Sequence, residues 1–200
     1  MAQHAVNLME EAEILRSIDE REIGFWIYLL SDAIIFGLLF ATYLIMVDGT
    51  AGGPTAHELF HLNTALIETV TLLCSSTTFS LASAGLKNGS RQRALGWLAV
   101  TLSLGAMFVA MEAIEFHSLL ERGAGPDRSG FLSAFFTLVG IHGLHVAFGM
   151  LWILVFGIDM LLRGVTPMAA SRVSRLAMFW HFLDIVWVGI FSVVYLPGLY

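Results

Sequence analysis

Two stretches of the chain place ionisable side chains inside runs that are otherwise apolar. In GIHGLHVAFG, residues 140–149, His142 and His145 lie three positions apart, and in FWHFLDIVW, residues 179–187, His181 and Asp184 have the same spacing. Side chains three positions apart on a helix share one face. Imidazole and carboxylate groups can ligate a metal or haem iron, pass protons, or hydrogen-bond one helix to another. These pairs are candidates for each of the three roles.

Four further acids stand in apolar surroundings: Asp32, Glu68, Glu112 and Glu115. A charge at the centre of a bilayer costs a few kcal/mol, about 3 on insertion scales, so such a group is expected to face protein, to have a partner or to be neutral. The spans and orientation derived below place Asp32 and the two histidine-bearing pairs near mid-depth. They place the three glutamates in the outer third of the membrane.

The residues alone leave three interpretations open. A bis-histidine haem needs two histidines at matched depth on facing helices, and His142 or His145 opposite His181 meets that requirement crudely. A proton relay needs ionisable groups through the whole depth, whereas the inner third is nearly empty of them. Interhelical hydrogen bonding needs only a partner on a neighbouring helix, and each such bond is worth about 1–2 kcal/mol or less. No compact set of metal ligands is visible in the sequence spacing.

The elements that carry these residues are predicted from hydropathy. Hydrophobic residues make up 57% of the 200 residues and charged residues only 13%, and the mean hydropathy is +0.78. Soluble domains average about a quarter charged residues, so the composition indicates an all-α integral membrane protein with five transmembrane helices. Each apolar stretch is long enough to cross about 30 Å of hydrocarbon. The predicted spans are 23–47, 62–86, 94–118, 130–162 and 173–197.

Residues 1–22 form a separate N-terminal arm, and residues 23–200 form the five-span membrane domain. The arm contains six acids and two arginines and lacks the basic start and short apolar core of a secretory signal. Its apolar residues recur near helical spacing, which is consistent with an amphipathic helix at the membrane surface.

The basic residues predict the orientation. Eight of the ten lie in the arm and in the second and fourth connections, and two lie in the third connection. Because basic residues accumulate on the cytoplasmic side, the N-terminus is predicted inside and the C-terminus outside.

Other features suggest partners or packing. The net charge of −6, without a basic run, argues against nucleic acid. Small residues on the second and third spans, including the pair Ala106 and Ala110, favour close helix packing in this chain or against a partner. The single cysteine, Cys74, is expected to be buried in its helix.

The motifs together resemble subunit III of the haem–copper respiratory oxidases. The resemblance rests on four motifs: YLLSDAIIF in the first span, MEAIEFH in the third, GIHGLHV and WHFLDIVW. It covers residues 24–197. The five-span layout and the loops GTAGGPT and GPDRSGFLSAFF look most like the bo-type ubiquinol oxidase branch. A cytochrome c oxidase subunit III is the alternative within the family, and a di-histidine b-type cytochrome or a secondary transporter is the alternative outside it.

The resemblance implies a non-catalytic accessory subunit in the bacterial inner membrane. It implies no haem, copper or catalytic centre in this chain, with haem and copper in partner subunits I and II, a small subunit IV, and bound phospholipid. The complex would oxidise ubiquinol, reduce oxygen and pump protons, and this chain would stabilise subunit I and support proton uptake. The histidines and Asp184 match motif positions that belong to the helix bundle, and Asp32 matches a position where many relatives carry glutamate. Glu115 matches a family carboxylate, whereas no role carries over to Glu68.

Overall fold

The computed structural model describes the backbone of residues 2–59, 62–164 and 167–197, and the side chains of residues 20–59, 62–164 and 171–197. Within these ranges the regular structure is helical and contains no strand. The helices are α1 (Ala2–Met46), the single turn α2 (Ala56–Leu59), α3 (Leu62–Lys87), α4 (Arg91–Glu121), α5 (Gly130–Arg163) and α6 (Pro167–Ile190), followed by a π-helical turn (Phe191–Tyr195).

Five helical segments are long and apolar enough to cross a membrane, which confirms the predicted number of spans. They are Glu20–Met46, Leu62–Lys87, Arg91–Glu121, Gly130–Arg163 and Ser171–Tyr195, and every predicted boundary lies within three residues of a segment end. Local sequence sets these ends. Ser129, for example, caps α5 by accepting a hydrogen bond from the Leu132 backbone N–H at 3.2 Å.

The chain divides into two units, Met1–Ile35 and Phe36–Tyr200. In the first unit α1 runs on without a break from Ala2, so the predicted arm continues directly into the first span. The side chains of residues 1–19 lie outside the described residues, and the amphipathic character of the arm stays a prediction. Ile23, Ile27 and Leu30 are more than half exposed, as expected of side chains that meet lipid or another protein.

In the second unit α3 packs most extensively against α4, and both α3 and α5 pack against α6. A tight turn at Gly89, whose φ of +71° favours glycine, links α3 to α4. The last part of α1 joins this unit through aromatic contacts. Phe36 lies 6.2 Å from the Phe182 ring, and Tyr43 lies 6.1 Å from the Phe131 ring.

Trp180 lies at the centre of the second unit, where two glycines let the helices approach it. A Cβ atom on Gly105 of α4 would lie 3.2 Å from the Trp180 ring, and one on Gly149 of α5 would lie 3.0 Å from it. Trp180 is fully buried and stacks on Phe79 of α3 with ring centroids 6.5 Å apart. One aromatic side chain thus contacts three helices besides its own.

The fifth span ends in a wider helical turn than the sequence predicts. The Leu196 backbone N–H donates to the Phe191 carbonyl at 3.0 Å, a five-residue step typical of a π-helix. Pro197 follows at once and has no N–H to continue the helix. Val194 and Tyr195 are buried in this turn.

One expectation about helix faces is wrong. Cys74 is exposed, although its apolar neighbours suggested burial. Ala106 and Ala110 are also exposed, so of the two predicted alternatives for this pair, packing against a partner stays a prediction. These helices are apolar on most sides, and such a helix gives little indication in its sequence of which face turns inward.

Candidate functional site

A seam of polar side chains joins α3 to α6. The hydroxyl Oγ of Ser76 lies 2.5 Å from His181 Nδ1, and the same nitrogen lies 3.6 Å from Asp184 Oδ2. Ser80 Oγ reaches His181 Nε2 at 3.5 Å from the next turn of α3. The predicted pair on α6 therefore acts together, with two serines of α3 as its partners.

The same seam continues around Trp180 and reaches α4. The indole Nε1 of Trp180 donates to Ser75 Oγ at 3.2 Å, and Ser75 Oγ donates to the Thr101 carbonyl at 3.3 Å. The Thr78 and Thr101 hydroxyls lie 2.8 Å apart. We call these eight residues the polar seam: Ser75, Ser76, Thr78, Ser80, Thr101, Trp180, His181 and Asp184. Every one contacts another across a helix boundary, as polar residues that hold membrane helices together do.

His142 of α5 is enclosed by aromatic rings. Its imidazole is fully buried, stacks on Trp187 at 5.3 Å, and meets the edges of Phe108 at 5.9 Å and Phe36 at 6.3 Å. Neither ring nitrogen has a hydrogen-bond partner among the described residues. The ring fills space like an aromatic core residue.

This enclosure bears on the haem interpretation. A haem reaching His142 would have to displace Trp187 or Phe108, whose rings lie 4.7 Å apart edge to face. His145, on the same helix face, has its Nδ1 2.8 Å from the Ile141 carbonyl, so that nitrogen donates within its own helix. The packing thus favours a structural role over haem ligation for His142.

Three glutamates meet at the end of the second unit where α4 ends and α5 begins. One carboxylate oxygen from each of Glu68, Glu112 and Glu115 lies within 4.8 Å of the others. Glu68 is fully buried and Glu112 is 6% exposed, and none of their four carboxylate oxygens has a hydrogen-bond partner among the described residues. Glu115 is half-buried and accepts a long hydrogen bond, 3.4 Å, from the Tyr195 hydroxyl. We call these three glutamates the carboxylate cluster.

The carboxylate cluster is a compact set of ligand-type residues that the spacing along the sequence does not show. Glu112 and Glu115 are one helical turn apart, but Glu68 is distant in sequence and arrives on α3. The pairing of α3 with α4 brings the three together. Spacing along the chain therefore could not reveal the cluster.

Asp32 lies in the first unit and is 6% exposed. Tyr28, one turn earlier on α1, is its hydrogen-bond partner. A tyrosine hydroxyl donates to a carboxylate, so this acid has a partner on its own helix.

The opposite end of the second unit carries ion pairs. Asp159 of α5 lies 3.1 Å from Arg163 and 2.9 Å from Arg172 of α6. The guanidinium of Arg91 on α4 donates to the Leu161 carbonyl. We call this the arginine end. Asp159 thus pairs with arginines of two helices at this end.

The ionisable groups were recognisable in the sequence, whereas several of their neighbours that form interhelical hydrogen bonds were missed. Trp180, Ser75 and Tyr195 were not singled out, yet each makes an interhelical hydrogen bond. Trp187 likewise donates from Nε1 to Thr69 Oγ1 at 3.0 Å. The signal that could have found the aromatic residues is the polar atom of each side chain, because a buried indole N–H or phenol O–H usually finds a hydrogen-bond partner.

The chain is similar to known proteins over most of its length. Residues 14–199 match the family described as cytochrome c oxidase subunit III. The chain is 50% identical over 177 residues to the cytochrome bo(3) ubiquinol oxidase subunit 3 of Pseudomonas putida, covering 88% of this chain and 86% of that protein. It is 51% identical over 175 residues to the protein of that name from Pseudomonas aeruginosa, covering 88% and 84%. It is also 44% identical over 177 residues to the cytochrome c oxidase subunit 3 of Bacillus sp. strain PS3, covering 88% and 86%.

Proposed function

The chain belongs to the cytochrome c oxidase subunit III family, and from that premise we propose that it is the non-catalytic subunit III of a bacterial quinol oxidase. The complex oxidises ubiquinol, reduces oxygen to water and pumps protons. This chain stabilises the complex and bound lipid and supports proton uptake.

The observation that carries the quinol branch is the similarity to relatives named for it. The two Pseudomonas proteins called ubiquinol oxidase subunit 3 are 50% and 51% identical to this chain, and the Bacillus protein called cytochrome c oxidase subunit 3 is 44% identical. The name of the Bacillus protein supports a cytochrome c oxidase as the alternative complex. In both cases the electron donor binds elsewhere in the complex.

The accessory role is supported by how the polar residues are used. His181 contacts Ser76 of α3 and pairs with Asp184, and His142 lies among aromatic rings. These are contacts that hold helices together, and they leave the reacting centres to partner subunits. Haem and copper are accordingly proposed in subunits I and II, with a small subunit IV as a further partner.

Orientation and location follow from the charges. The arginine end gathers basic residues, and such residues remain on the cytoplasmic side of bacterial inner membranes. We therefore place the N-terminus inside and the C-terminus outside. After Cys74 is replaced by serine, Asp127→Cys in intact spheroplasts should react with an impermeant thiol reagent and Asn88→Cys should not. Both positions are exposed, so labelling of Asn88→Cys alone would reverse the orientation.

Bound phospholipid is supported by a groove between α1 and α5. Leu39, Thr42 and Met46 on one side and Gly130 and Thr137 on the other border a cavity of about 210 Å³. Its mostly apolar lining suits part of an acyl chain.

The proposed function is tested by the composition and donor of the native complex. The chain is affinity-tagged, the complex is purified in mild detergent, and its subunits are identified by mass spectrometry. We expect the haem- and copper-bearing subunits to co-purify and the complex to consume oxygen with ubiquinol. Oxygen consumption with reduced cytochrome c but not with ubiquinol would favour the alternative complex. Purification of the chain without any oxidase subunit would contradict both.

The role of Asp32 is tested by two substitutions. Asp32→Asn keeps a side chain that can hydrogen-bond to Tyr28, whereas Asp32→Ala does not. If Asp32 holds structure or lipid in place, Asp32→Asn keeps assembly and initial turnover, and Asp32→Ala loosens the subunit and shortens the active life of the enzyme. Proton-to-electron ratios in proteoliposomes decide the question. An assembled Asp32→Asn complex that reduces oxygen without pumping protons would make Asp32 a proton carrier.

A further inference from the structure

The carboxylate cluster is not accounted for by helix packing. We propose that Glu68, Glu112 and Glu115 form a binding site for a divalent cation, with Ca²⁺ as the best fit to the ligand set. The proposal uses only contacts within Phe36–Tyr200 and does not depend on the identity of the electron donor.

The spacing of the oxygens is the first argument. One oxygen from each glutamate lies within 4.8 Å of the other two. A point equidistant from three atoms at that limit lies about 2.8 Å from each, and a small inward shift of the side chains gives the 2.3–2.6 Å of Ca²⁺–oxygen bonds. Three helix-borne carboxylates thus already converge on one point.

The burial of unpartnered oxygens is the second, independent argument. Glu68 is fully buried and Glu112 is 94% buried, the complement of its 6% exposure. None of their four oxygens accepts a hydrogen bond from any described residue. Buried carboxylates are stable only when they are paired, hydrogen-bonded, metal-bound or neutral. In the polar seam the Asp184 carboxylate has His181 and Ser76 as partners, whereas no described residue donates to Glu68 or Glu112.

Shared protons are the main alternative to a cation. Two carboxyls that share a proton bring their oxygens to about 2.5–3.0 Å in an O–H···O hydrogen bond. No hydrogen bond of this kind joins Glu68 or Glu112 to another described residue. One oxygen from each carboxylate lies within 4.8 Å of the other two without such a bond, which is an arrangement that ligands adopt around an ion.

Access and charge balance are provided by a neighbouring cavity. A cavity of about 220 Å³ is bordered by Glu115 and Thr64, with Arg122 on its wall. Ca²⁺ takes six to eight oxygen ligands, and water from this cavity can complete the set. Three carboxylates and a divalent ion leave one negative charge, which the guanidinium of Arg122 can offset.

The ligand chemistry selects the ion. The donor atoms are all oxygens and none is nitrogen or sulfur, a set that suits Ca²⁺, Mg²⁺ or Mn²⁺ rather than Zn²⁺ or copper. Mg²⁺ requires near-octahedral geometry at about 2.0–2.1 Å and retains most of its water. Three protein carboxylates exceed the one or two that usually bind Mg²⁺, and they therefore fit Ca²⁺ better.

The test measures Ca²⁺ bound to the purified complex. The complex is treated with EGTA, and ⁴⁵Ca²⁺ binding is then measured by equilibrium dialysis for wild type, Glu68→Gln and Glu112→Gln. We expect one bound Ca²⁺ per complex to be lost, or its affinity to fall about tenfold or more, in each variant. The matched control is Glu121→Gln, an exposed acid on α4 outside the cluster. It should bind Ca²⁺ like wild type, which separates this site from Ca²⁺ bound by partner subunits.

Several results would overturn the proposal. Equal Ca²⁺ binding by wild type and an assembled Glu68→Gln variant would exclude the cluster as the site. If the variants do not assemble, the wild-type complex still decides. Its subunit retention on heating should rise with micromolar Ca²⁺ relative to EGTA, and a complex that binds no Ca²⁺ and shows no such rise would leave the carboxyls as protonated acids.

Discussion

The polar seam and the carboxylate cluster share α3 and α4 but differ in how far their buried polar groups find hydrogen-bond partners. In the seam, Ser76 meets His181 and Ser75 meets Trp180 at hydrogen-bonding distance. In the cluster, two turns from Ser75 along α3, Glu68 has no hydrogen-bond partner among the described residues. Similar depth of burial therefore does not mean similar purpose.

The presence or absence of hydrogen-bond partners distinguishes interhelical packing contacts from a ligand site in a membrane bundle. Interhelical hydrogen bonds between neutral groups contribute about 0.6 kcal/mol on average, and a packed seam needs nothing else. Unpartnered carboxylates cost more than such bonds can return, so something besides helix packing must explain them. Substitutions in the two regions should thus respond differently to added cation.

The largest expected effect is the loss of the central aromatic residue of the seam. Trp180→Ala removes the ring that packs on Phe79, Gly105 and Gly149 and leaves the Ser75 hydroxyl without its donor. We expect destabilisation by about 3–5 kcal/mol, as for other large-to-small core changes. The measurement is the fraction of the chain retained in the purified complex after graded heating. Trp97→Ala, at an exposed position of α4, is the control. Equal losses for both would mean that Trp180 is not central to the fold.

The close helix contact at Gly149 should be the next most sensitive position. A methyl group in Gly149→Ala would lie 3.0 Å from Trp180 and 3.1 Å from Phe179, and both rings are rigid. Overpacking of this kind costs about 1–3 kcal/mol. Gly157→Ala on the same helix meets nothing within 4 Å and should be tolerated. The measurement is the fraction of each variant retained in the complex after heating. Equal retention of Gly149→Ala and Gly157→Ala would show that the helices separate easily at Gly149.

His142 tests a third kind of buried polar group, one held by aromatic rings alone. His142→Gln places an amide at a position where no described residue hydrogen-bonds to the native imidazole. An unsatisfied buried polar group costs about 1–3 kcal/mol, so subunit retention should weaken while the haem spectrum of the complex stays unchanged. Loss of haem in proportion to this chain, with the other subunits fully present, would restore the cytochrome interpretation.

The smallest effects separate the two regions directly. Ser76→Ala removes one interhelical partner of His181 and should cost about 0.6 kcal/mol whether or not Ca²⁺ is present. Glu68→Gln should be neutral or stabilising in EGTA, because it removes a buried charge, and should abolish stabilisation by Ca²⁺. The measurement is the fraction of each of the two variants retained in the complex after heating, once with Ca²⁺ and once in EGTA. Identical behaviour of the two variants would remove the distinction between seam and cluster.

Much of the fold could be predicted from the sequence. The five spans are local properties, since about twenty apolar residues suffice to cross a bilayer, and proline and serine mark several ends. The family resemblance seen in GIHGLHV and WHFLDIVW is confirmed by the match over residues 14–199. The ionisable residues of the seam and cluster were also recognisable, because charge in an apolar run is conspicuous without any structure.

The partners of those residues were decided by the tertiary structure. Which face of an apolar helix turns inward is fixed by packing against its neighbours, so Cys74 is exposed and Ser75 beside it is buried. Glu68 meets Glu112 only because α3 and α4 lie side by side in one particular register. Membrane spanning and the positions of the helices can be predicted from the sequence alone, since hydropathy acts residue by residue along the chain. Which buried polar groups are satisfied depends on the tertiary structure, since a hydrogen bond between helices depends on rotation and register that no single segment encodes.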